Sequence, residues 1–210
     1  AVLEDGRLTS LLKEADVTQA KAFQKDLARL DEVRNARTNM AASYFAAHAE
    51  EWDFIRSLHV ADSEVEAKIA QILHSAPLGR VLDVGTGTGR IVELFAESAS
   101  RFVALDNSPE MLRLARAKIA NFSADIASKV EIKLGDFNML PVGDGEFDTV
   151  IFHQVLHYAQ DPEAVIAEAI RTVAEDGRLV IVDFAAHDRE ELRTVHAHAR
   201  LGFTDEFMRN

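Results

Sequence analysis

At Pro77 the sequence changes its pattern, and this change leaves few folds open to the chain. From there on, short runs rich in Val, Ile and Leu alternate with stretches of helical periodicity. The strand-like runs are residues 80–85, 101–106, 129–134, 147–152 and 178–184. The helical stretches are residues 89–98, 109–120, 161–174 and 188–199. Such alternation predicts an α/β fold, in which a doubly wound, mainly parallel sheet carries helices on both faces.

The first 75 residues differ, because they contain no proline and a single glycine, and they read as helix throughout. An apolar stripe recurs at helical spacing through Phe23, Leu27, Leu30, Val33, Met40 and Tyr44. Mixed charge around one apolar stripe is typical of a helix that packs on a partner, within the chain or in a homodimer. We therefore predict a helical extension over residues 1–75 and an α/β domain over residues 76–210.

Composition narrows the class of protein. The chain has 210 residues with a net charge of −12 and no cysteine. An acidic surface repels phosphate backbones, so nucleic acid is not expected as a main partner. The absence of cysteine excludes disulfides, thiolate metal sites and cysteine nucleophiles. No apolar run is long enough to span a bilayer. These properties predict a cytoplasmic enzyme or binding protein for a small ligand.

A glycine loop follows the first predicted strand and opens the next helix, as Gly85-Thr86-Gly87-Thr88-Gly89. In doubly wound sheets, ligands bind at the carboxyl ends of the strands, and glycines let the backbone approach them closely. Asp106 ends the second strand, where a carboxylate can accept the hydroxyls of a ribose. Asp83, just before the loop, would repel a pyrophosphate but would attract a cation. A ligand with a ribose, an ammonium and a sulfonium fits best, namely S-adenosylmethionine.

Four motifs carry a resemblance to a known family: VLDVGTGTGR, VALDNSPEML, LGDFNMLPVGDGEFDTVIFHQVLHY and EDGRLVIVDF, in this order. Residues 78–184 resemble a class I S-adenosylmethionine-dependent methyltransferase with a Rossmann-like fold. The resemblance is to the small-molecule type, which is similar to the ubiquinone and menaquinone biosynthesis methyltransferases. It implies S-adenosylmethionine as the cofactor, S-adenosylhomocysteine as the product and a small molecule as the methyl acceptor.

The resemblance also implies a set of cofactor-binding residues: Asp83, Gly85, Thr86, Gly87, Gly89, Asp106, Asn107, Met111, Asp136, Phe137 and His153. Asp83 would hold the ammonium group, Asp106 the ribose and Asp136 the amino group of the adenine. Gly85 and Gly87 would line the methionine moiety. For Phe137 and Met111, ordinary core packing is an alternative.

Methyl transfer requires a positioned acceptor and, for many acceptors, a base. His153 and His157 follow the fourth strand, so His153 is our first candidate base and His157 the second. The alternative for both is a structural hydrogen bond at a strand end. His196 and His198 read as a solvated helix face, and we predict no metal site.

Tyr44 and Trp52 lie in a segment, YFAAHAEEW, that resembles the part of these methyltransferases which folds over the cofactor. It implies that both rings close the site against water and border the acceptor. The alternative is an amphipathic helix that simply covers the sheet.

Residues 1–60 are similar to the stretch that joins an ArsR-type winged-helix domain to a methyltransferase domain in bacterial fusion regulators. We therefore expect a longer natural protein, and a methyltransferase domain without its last two strands. The alternative function is sensing of S-adenosylmethionine or S-adenosylhomocysteine by an ArsR-type regulator, with nucleic acid contacted only by a domain outside this chain. A nicotinamide-dependent dehydrogenase is disfavoured by the glycine spacing and by Asp83.

Overall fold

The structure is a computed structural model that describes residues 5–57 and 62–209. It divides into two compact units, Ala1–Asn39 and Met40–Asn210. The predicted boundary between residues 75 and 76 lies inside the second unit, and that division of the chain stays a prediction. Of the helices described, none is both long enough and apolar enough to cross a bilayer.

Five strands of the described residues form one parallel sheet in the order β3-β2-β1-β4-β5. They are β1 (Arg80–Val84), β2 (Arg101–Asp106), β3 (Val130–Leu134), β4 (Phe147–His153) and β5 (Val173–Val182). The chain adds β2 and β3 on one side of β1 and then returns to place β4 and β5 on the other side of β1. The loops after β1 and β4 therefore diverge, which opens a crevice at the carboxyl ends of these strands. The predicted doubly wound parallel sheet is confirmed.

The described helices are α1 (Asp5–His48), α2 (Trp52–Ser57), α3 (Asp62–Leu73), α4 (Arg90–Phe95), α5 (Pro109–Ile119), α6 (Ala124–Ala127), α7 (Pro162–Thr172), α8 (Glu191–Val195) and α9 (Asp205–Arg209). A short 3₁₀ turn, Ala49–Glu51, separates α1 from α2. The side chains of Ser108 and Asp161 accept hydrogen bonds from the backbone at the starts of α5 and α7. Proline follows each cap at the first helical position, where its missing N–H costs nothing.

The core lies on both faces of the sheet, because neighbouring residues of a strand point to opposite sides. On β1, Leu82 packs in a cluster with Phe147 and Phe152. Its neighbour Val81 packs in the second cluster, which holds Ile69 and Phe95. All six residues are at most 2% exposed. Burial of both faces explains why the strands read as continuous apolar runs and not as alternating ones.

Two predicted elements differ from the structure. The fifth strand, predicted over residues 178–184, spans Val173–Val182. It begins earlier because Val173 already pairs with Phe147, and residues 174–177 bulge out before the next pair, Thr149–Arg178. The predicted helix over residues 188–199 is wrong: α8 covers only Glu191–Val195. Ala197 adopts a left-handed φ of 58°, which a right-handed helix does not tolerate, and the chain turns there.

In the first unit, the predicted apolar stripe of α1 faces outward at the residues whose side chains are described. Phe23 is 61% exposed, and Leu27, Leu30 and Val33 are also exposed. The predicted packing of this stripe on a partner stays a prediction.

Candidate active site

The glycine loop turns tightly at the end of β1 and is pinned to the neighbouring strand. The N–H groups of Gly85 and Thr86 both donate to the carbonyl of Leu105, at 2.8 and 2.9 Å. Gly85, Gly87 and Gly89 have φ angles of 72°, 55° and 86°, a region that residues with a side chain rarely adopt. The local sequence therefore dictates the loop, because only glycine makes these three turns without strain.

A cavity of about 770 Å³ lies above this loop, and we call it the glycine-loop cleft. Ten of the predicted site residues are among those that line it: Trp52, Asp83, Gly85, Thr86, Gly87, Asp106, Asn107, Met111, Phe137 and His153. Gly89, Asp136, Tyr44 and His157 are not among its lining residues.

Asp83 is the most unusual group in the cleft. It is 1% exposed, and neither of its carboxylate oxygens accepts a hydrogen bond from the residues that the structure describes. Burial raises the pKa of Asp83 to about 7; the nearby Thr86 hydroxyl opposes this shift without reaching hydrogen-bonding geometry, and the charge of Asp106 adds to it. A buried carboxyl without partners is costly, so the site is suited to a cationic or hydrogen-bond-donating group of a ligand.

Asp106, in contrast, is well satisfied. Its Oδ2 accepts a hydrogen bond from the N–H of Gly87 at 2.8 Å, and its Oδ1 accepts from the N–H of Ser108 at 2.8 Å. Burial raises its pKa, and these backbone donors oppose the shift. Because each carboxylate oxygen has a second lone pair, Asp106 can still accept from a ligand hydroxyl while it holds the loop in place.

Apolar side chains also line the cleft. They include Met111, which is 1% exposed, and Phe137. Asp136 is exposed, and its Oδ1 accepts from both the N–H and the side-chain amide of Asn138, at 2.8 and 2.7 Å. The proposed contact of Asp136 with an adenine amino group therefore requires its second carboxylate oxygen, and it stays a prediction.

The segment around Trp52 lies against the opening of the cleft. A Cβ placed on Gly87 would lie 3.5 Å from Nε1 of Trp52, so the indole sits close above the glycine loop. Asp53 ties this segment down, since it accepts from the Thr88 hydroxyl at 2.6 Å and pairs with Lys118 at 2.8 Å. These contacts hold the segment of Trp52 next to the glycine loop, and its predicted role in closing the cleft against water stays a prediction.

The two candidate bases lie in different surroundings. His153 lines the glycine-loop cleft at the end of β4. His157 is 1% exposed and borders a second cavity of about 310 Å³, which Tyr44 also lines. We call this the aromatic cavity. The ring nitrogen Nδ1 of His157 lies 2.7 Å from Oδ1 of Asp183, whose side chain is 3% exposed.

Three residues of this region were missed or misjudged from the sequence. Asp183 follows the last residue of β5, and the rule that sites form at carboxyl ends of parallel strands could have singled it out. His196 and His198 are not on a solvated helix face, which corrects that prediction. His198 is 7% exposed, and Nδ1 of His196 lies 2.6 Å from the Tyr44 hydroxyl. No sequence signal marks this pairing, because 152 residues separate its partners.

Comparison with known proteins places this site in a family. Residues 82–181 match the family model described as a methyltransferase domain. A demethylmenaquinone methyltransferase from Renibacterium salmoninarum is 30% identical over 128 residues, which are 61% of this chain and 51% of that protein. A ubiquinone/menaquinone biosynthesis C-methyltransferase from Citrifermentans bemidjiense is 30% identical over 110 residues, 51% of this chain and 46% of the relative. The chain spans about half the length of these curated relatives.

A solved structure agrees with these relatives in fold. The DhpI–SAH complex is 29% identical and has a TM-score of 0.57, with 70% of this chain and 68% of that chain covered. The matched family segment begins within β1 and ends within β5, so it contains the sheet, the glycine loop and both candidate bases. The chain thus carries a class I S-adenosylmethionine-dependent methyltransferase domain, similar to the methyltransferases of quinone biosynthesis.

Proposed function

We propose that this protein binds S-adenosylmethionine in the glycine-loop cleft and transfers its methyl group to a small-molecule acceptor. The observation that carries the proposal is Asp83, a buried carboxyl without a hydrogen-bond partner among the described residues, at the end of β1. An ammonium group placed there would satisfy it and would hold it ionised. S-adenosylmethionine has such a group, whereas a nicotinamide dinucleotide would bring a pyrophosphate toward it.

The other lining residues fit the remaining parts of this cofactor. Asp106 would accept from the ribose hydroxyls, and the lining residues Met111 and Phe137 would pack against the adenine. Arg90 also lines the cleft, but its guanidinium is already paired with Glu66 at 2.7 Å. The cleft thus has an excess of negative charge, which suits a ligand with an ammonium and a sulfonium.

When bound, S-adenosylmethionine supplies a methyl group made electrophilic by the positive sulfur. The chain's own residues then have three tasks: to orient the cofactor, to keep water out and to receive a proton from the acceptor. Asp83 and Asp106 would orient it from its two ends. Trp52, held down through Asp53, would close the cleft. His153 and His157 are the candidates for the proton.

The alternative is a sensing domain that binds S-adenosylmethionine or S-adenosylhomocysteine without turnover and reports to an ArsR-type DNA-binding domain. The similarity of residues 1–60 to the linker of such fusion regulators favours it. The two functions share the cofactor site and differ in whether an acceptor is methylated. Turnover therefore separates them.

Binding can be measured without a label, because Trp52 is the single tryptophan of the chain and lines the cleft. We expect S-adenosylhomocysteine to change its fluorescence and, at a hundredfold excess over Kd, to raise Tm by about 5–10 °C. NAD should do neither. Methyl transfer from labelled S-adenosylmethionine to phenols, amines and thiols then tests activity. No response to S-adenosylhomocysteine contradicts the proposal, and tight binding with no transfer favours the sensor.

Replacing Asp106 by alanine should weaken S-adenosylhomocysteine binding by about 1–3 kcal/mol, because charge-assisted hydrogen bonds to the ribose disappear. The variant also leaves the N–H groups of Gly87 and Ser108 without their acceptor, so the loop should loosen. Isothermal titration calorimetry measures the affinity. Asp125→Ala is the comparison, since Asp125 is exposed and does not line the cleft. An Asp106→Ala affinity equal to that of the wild type would show that this carboxylate does not face the ribose.

We further propose a cytoplasmic homodimer, in which the outward-facing stripe of α1 contributes to the contact. The acidic composition without cysteine supports the compartment. The exposure of Phe23, Leu27 and Leu30 on a regular helix supports the dimer, because apolar stripes of this spacing are usually covered.

A further inference from the structure

The aromatic cavity adjoins the glycine-loop cleft. Trp52, Gln154 and Tyr158 line both cavities, so they form the boundary between them. The remaining walls of the aromatic cavity come from distant parts of the second unit: Tyr44, Ile55, His157, Phe184, His196 and His198. A molecule in this cavity would therefore lie next to a ligand in the cleft, and both would border these three side chains.

The walls of the aromatic cavity restrict what it can hold. Among the residues that the structure describes, its lining includes three histidines and four other aromatic residues, but no lysine, arginine, aspartate or glutamate. These described side chains offer a phosphorylated or carboxylated molecule no lysine or arginine to compensate its charge. Aromatic walls favour a flat, uncharged molecule that stacks or packs edge-on.

One histidine of these walls is set up as a proton acceptor. Asp183 accepts from the backbone N–H groups of His157 and Phe184, at 3.2 and 2.7 Å, and lies 2.7 Å from Nδ1 of His157. Since a carboxylate can only accept, this contact places the imidazole proton on Nδ1. Nε2 then carries a lone pair. It is buried and has no hydrogen-bond partner among the residues that the structure describes.

Tyr44 provides a second polar group in the same walls. Its hydroxyl lies 2.6 Å from Nδ1 of His196. Burial raises the pKa of Tyr44, while burial and the nearby His48 lower the pKa of His196. The tyrosine therefore donates to a neutral imidazole, and its oxygen can still accept a hydrogen bond. This pair can orient a polar substituent of a molecule in the cavity.

We propose that the aromatic cavity is the methyl-acceptor pocket, that it takes a flat, uncharged phenol or enol, and that His157 is the base that receives its hydroxyl proton. This inference rests on the proposed function, and it assigns Asp183 as a positioning residue. The O–H proton passes to Nε2 of His157, and the resulting imidazolium is stabilised by Asp183. The electron pair released on the acceptor forms the new bond to the methyl carbon, while the carbon–sulfur bond breaks and leaves its electron pair on sulfur.

The test uses para-nitrophenol as a probe, because its ionised form absorbs visible light. With the protein saturated with S-adenosylhomocysteine, we expect the probe to bind and its phenolate absorbance to rise. In His157→Gln that rise should be lost, while Trp52 fluorescence still reports S-adenosylhomocysteine binding. His74→Gln is the matched control, since His74 is exposed and lines neither cavity. It should behave as the wild type.

Asp183→Asn separates positioning from folding. An amide can donate to Nδ1 and so favours the wrong tautomer, with the proton on Nε2. This variant should still bind the probe, but in its neutral form. Imidazole-nitrogen NMR of the wild type needs no variant: the Nε2 signal of His157 should shift toward that of a protonated ring when the probe binds.

The outcomes distinguish the two proposals. Absence of S-adenosylhomocysteine binding refutes the proposed function itself. Normal S-adenosylhomocysteine binding without probe binding, or a bound phenolate that persists in His157→Gln, refutes only the acceptor pocket and its base. If the phenolate absorbance is lost in His153→Gln and kept in His157→Gln, the base is His153.

Discussion

Replacing Asp83 by asparagine is expected to weaken S-adenosylhomocysteine binding by about 2–5 kcal/mol, at least about 30-fold, because a buried carboxylate would lose its ammonium partner. The wild-type affinity should itself depend on pH. Burial raises the pKa of Asp83 to about 7, and an ammonium group requires the ionised form. Below that pH, ligand binding must release a proton. Affinity should therefore increase about fivefold from pH 6 to pH 7 and less than about twofold from pH 7 to pH 8.

Asp83→Asn should remove this part of the pH dependence, and calorimetry at these three pH values measures it. A wild-type affinity that does not change with pH, together with an unchanged affinity of the variant, would contradict the role of Asp83.

The same substitution should stabilise the ligand-free protein. The pKa of Asp83 in the folded state, about 7, is higher than its ordinary value of 3.8, so the folded state binds more protons between these values. Stability from this group is therefore present at low pH and is lost as pH rises toward 7. Each pKa unit corresponds to about 1.4 kcal/mol, so the gain in Asp83→Asn has a ceiling of about 4 kcal/mol above neutral pH.

Denaturant unfolding of both proteins between about pH 5 and pH 8 checks this. The difference between variant and wild type should grow as pH rises and level off above pH 7. Asp148→Asn is the control with the opposite sign, because its pairing with Arg80 lowers the pKa of Asp148 to about 2. That variant should be less stable than the wild type by the same amount throughout this range, and its ligand affinity should not change.

Gly85→Ala is the second substitution with a large expected effect, here on stability. Gly85 has a φ of 72°, and a Cβ added to it would overlap the Val155 side chain, with Cγ1 only 2.7 Å away. Left-handed backbone costs about 1–2 kcal/mol for a residue with a side chain, and overpacking costs about 1–3 kcal/mol. We expect a loss of about 2–4 kcal/mol, which lowers Tm by about 5–15 °C.

Gly145→Ala isolates the backbone part of this effect. Gly145 has a similar φ of 61°, but the nearest atoms to an added Cβ lie 3.9 Å away. It should lose only about 1–2 kcal/mol. Adding Val155→Ala to Gly85→Ala should recover part of the packing loss in a double-mutant cycle. Equal stabilities of the two glycine variants would mean that Val155 moves aside without cost.

Local features of the fold were readable from the sequence because short stretches encode them. Apolar runs with helices between them predicted four of the five strands to within one residue at each end. The caps Ser108 and Asp161 marked the starts of α5 and α7. The glycine loop was readable for the same reason, since only glycine adopts a left-handed φ at three alternating positions at low cost. Where a signal needed distant context, the prediction was wrong: the helix predicted over residues 188–199 ends at Val195, and the chain turns at Ala197.

The sequence by itself thus determined the type of sheet, the place of the glycine loop and the acidic residues beside it. Only the tertiary structure decided which side chains are buried and what they meet. Asp183 lies 26 residues from His157, and Tyr44 lies 152 residues from His196, yet each pair shares a hydrogen bond. Burial and pairing depend on how the strands and helices pack over long range, and no spacing in the chain records that packing.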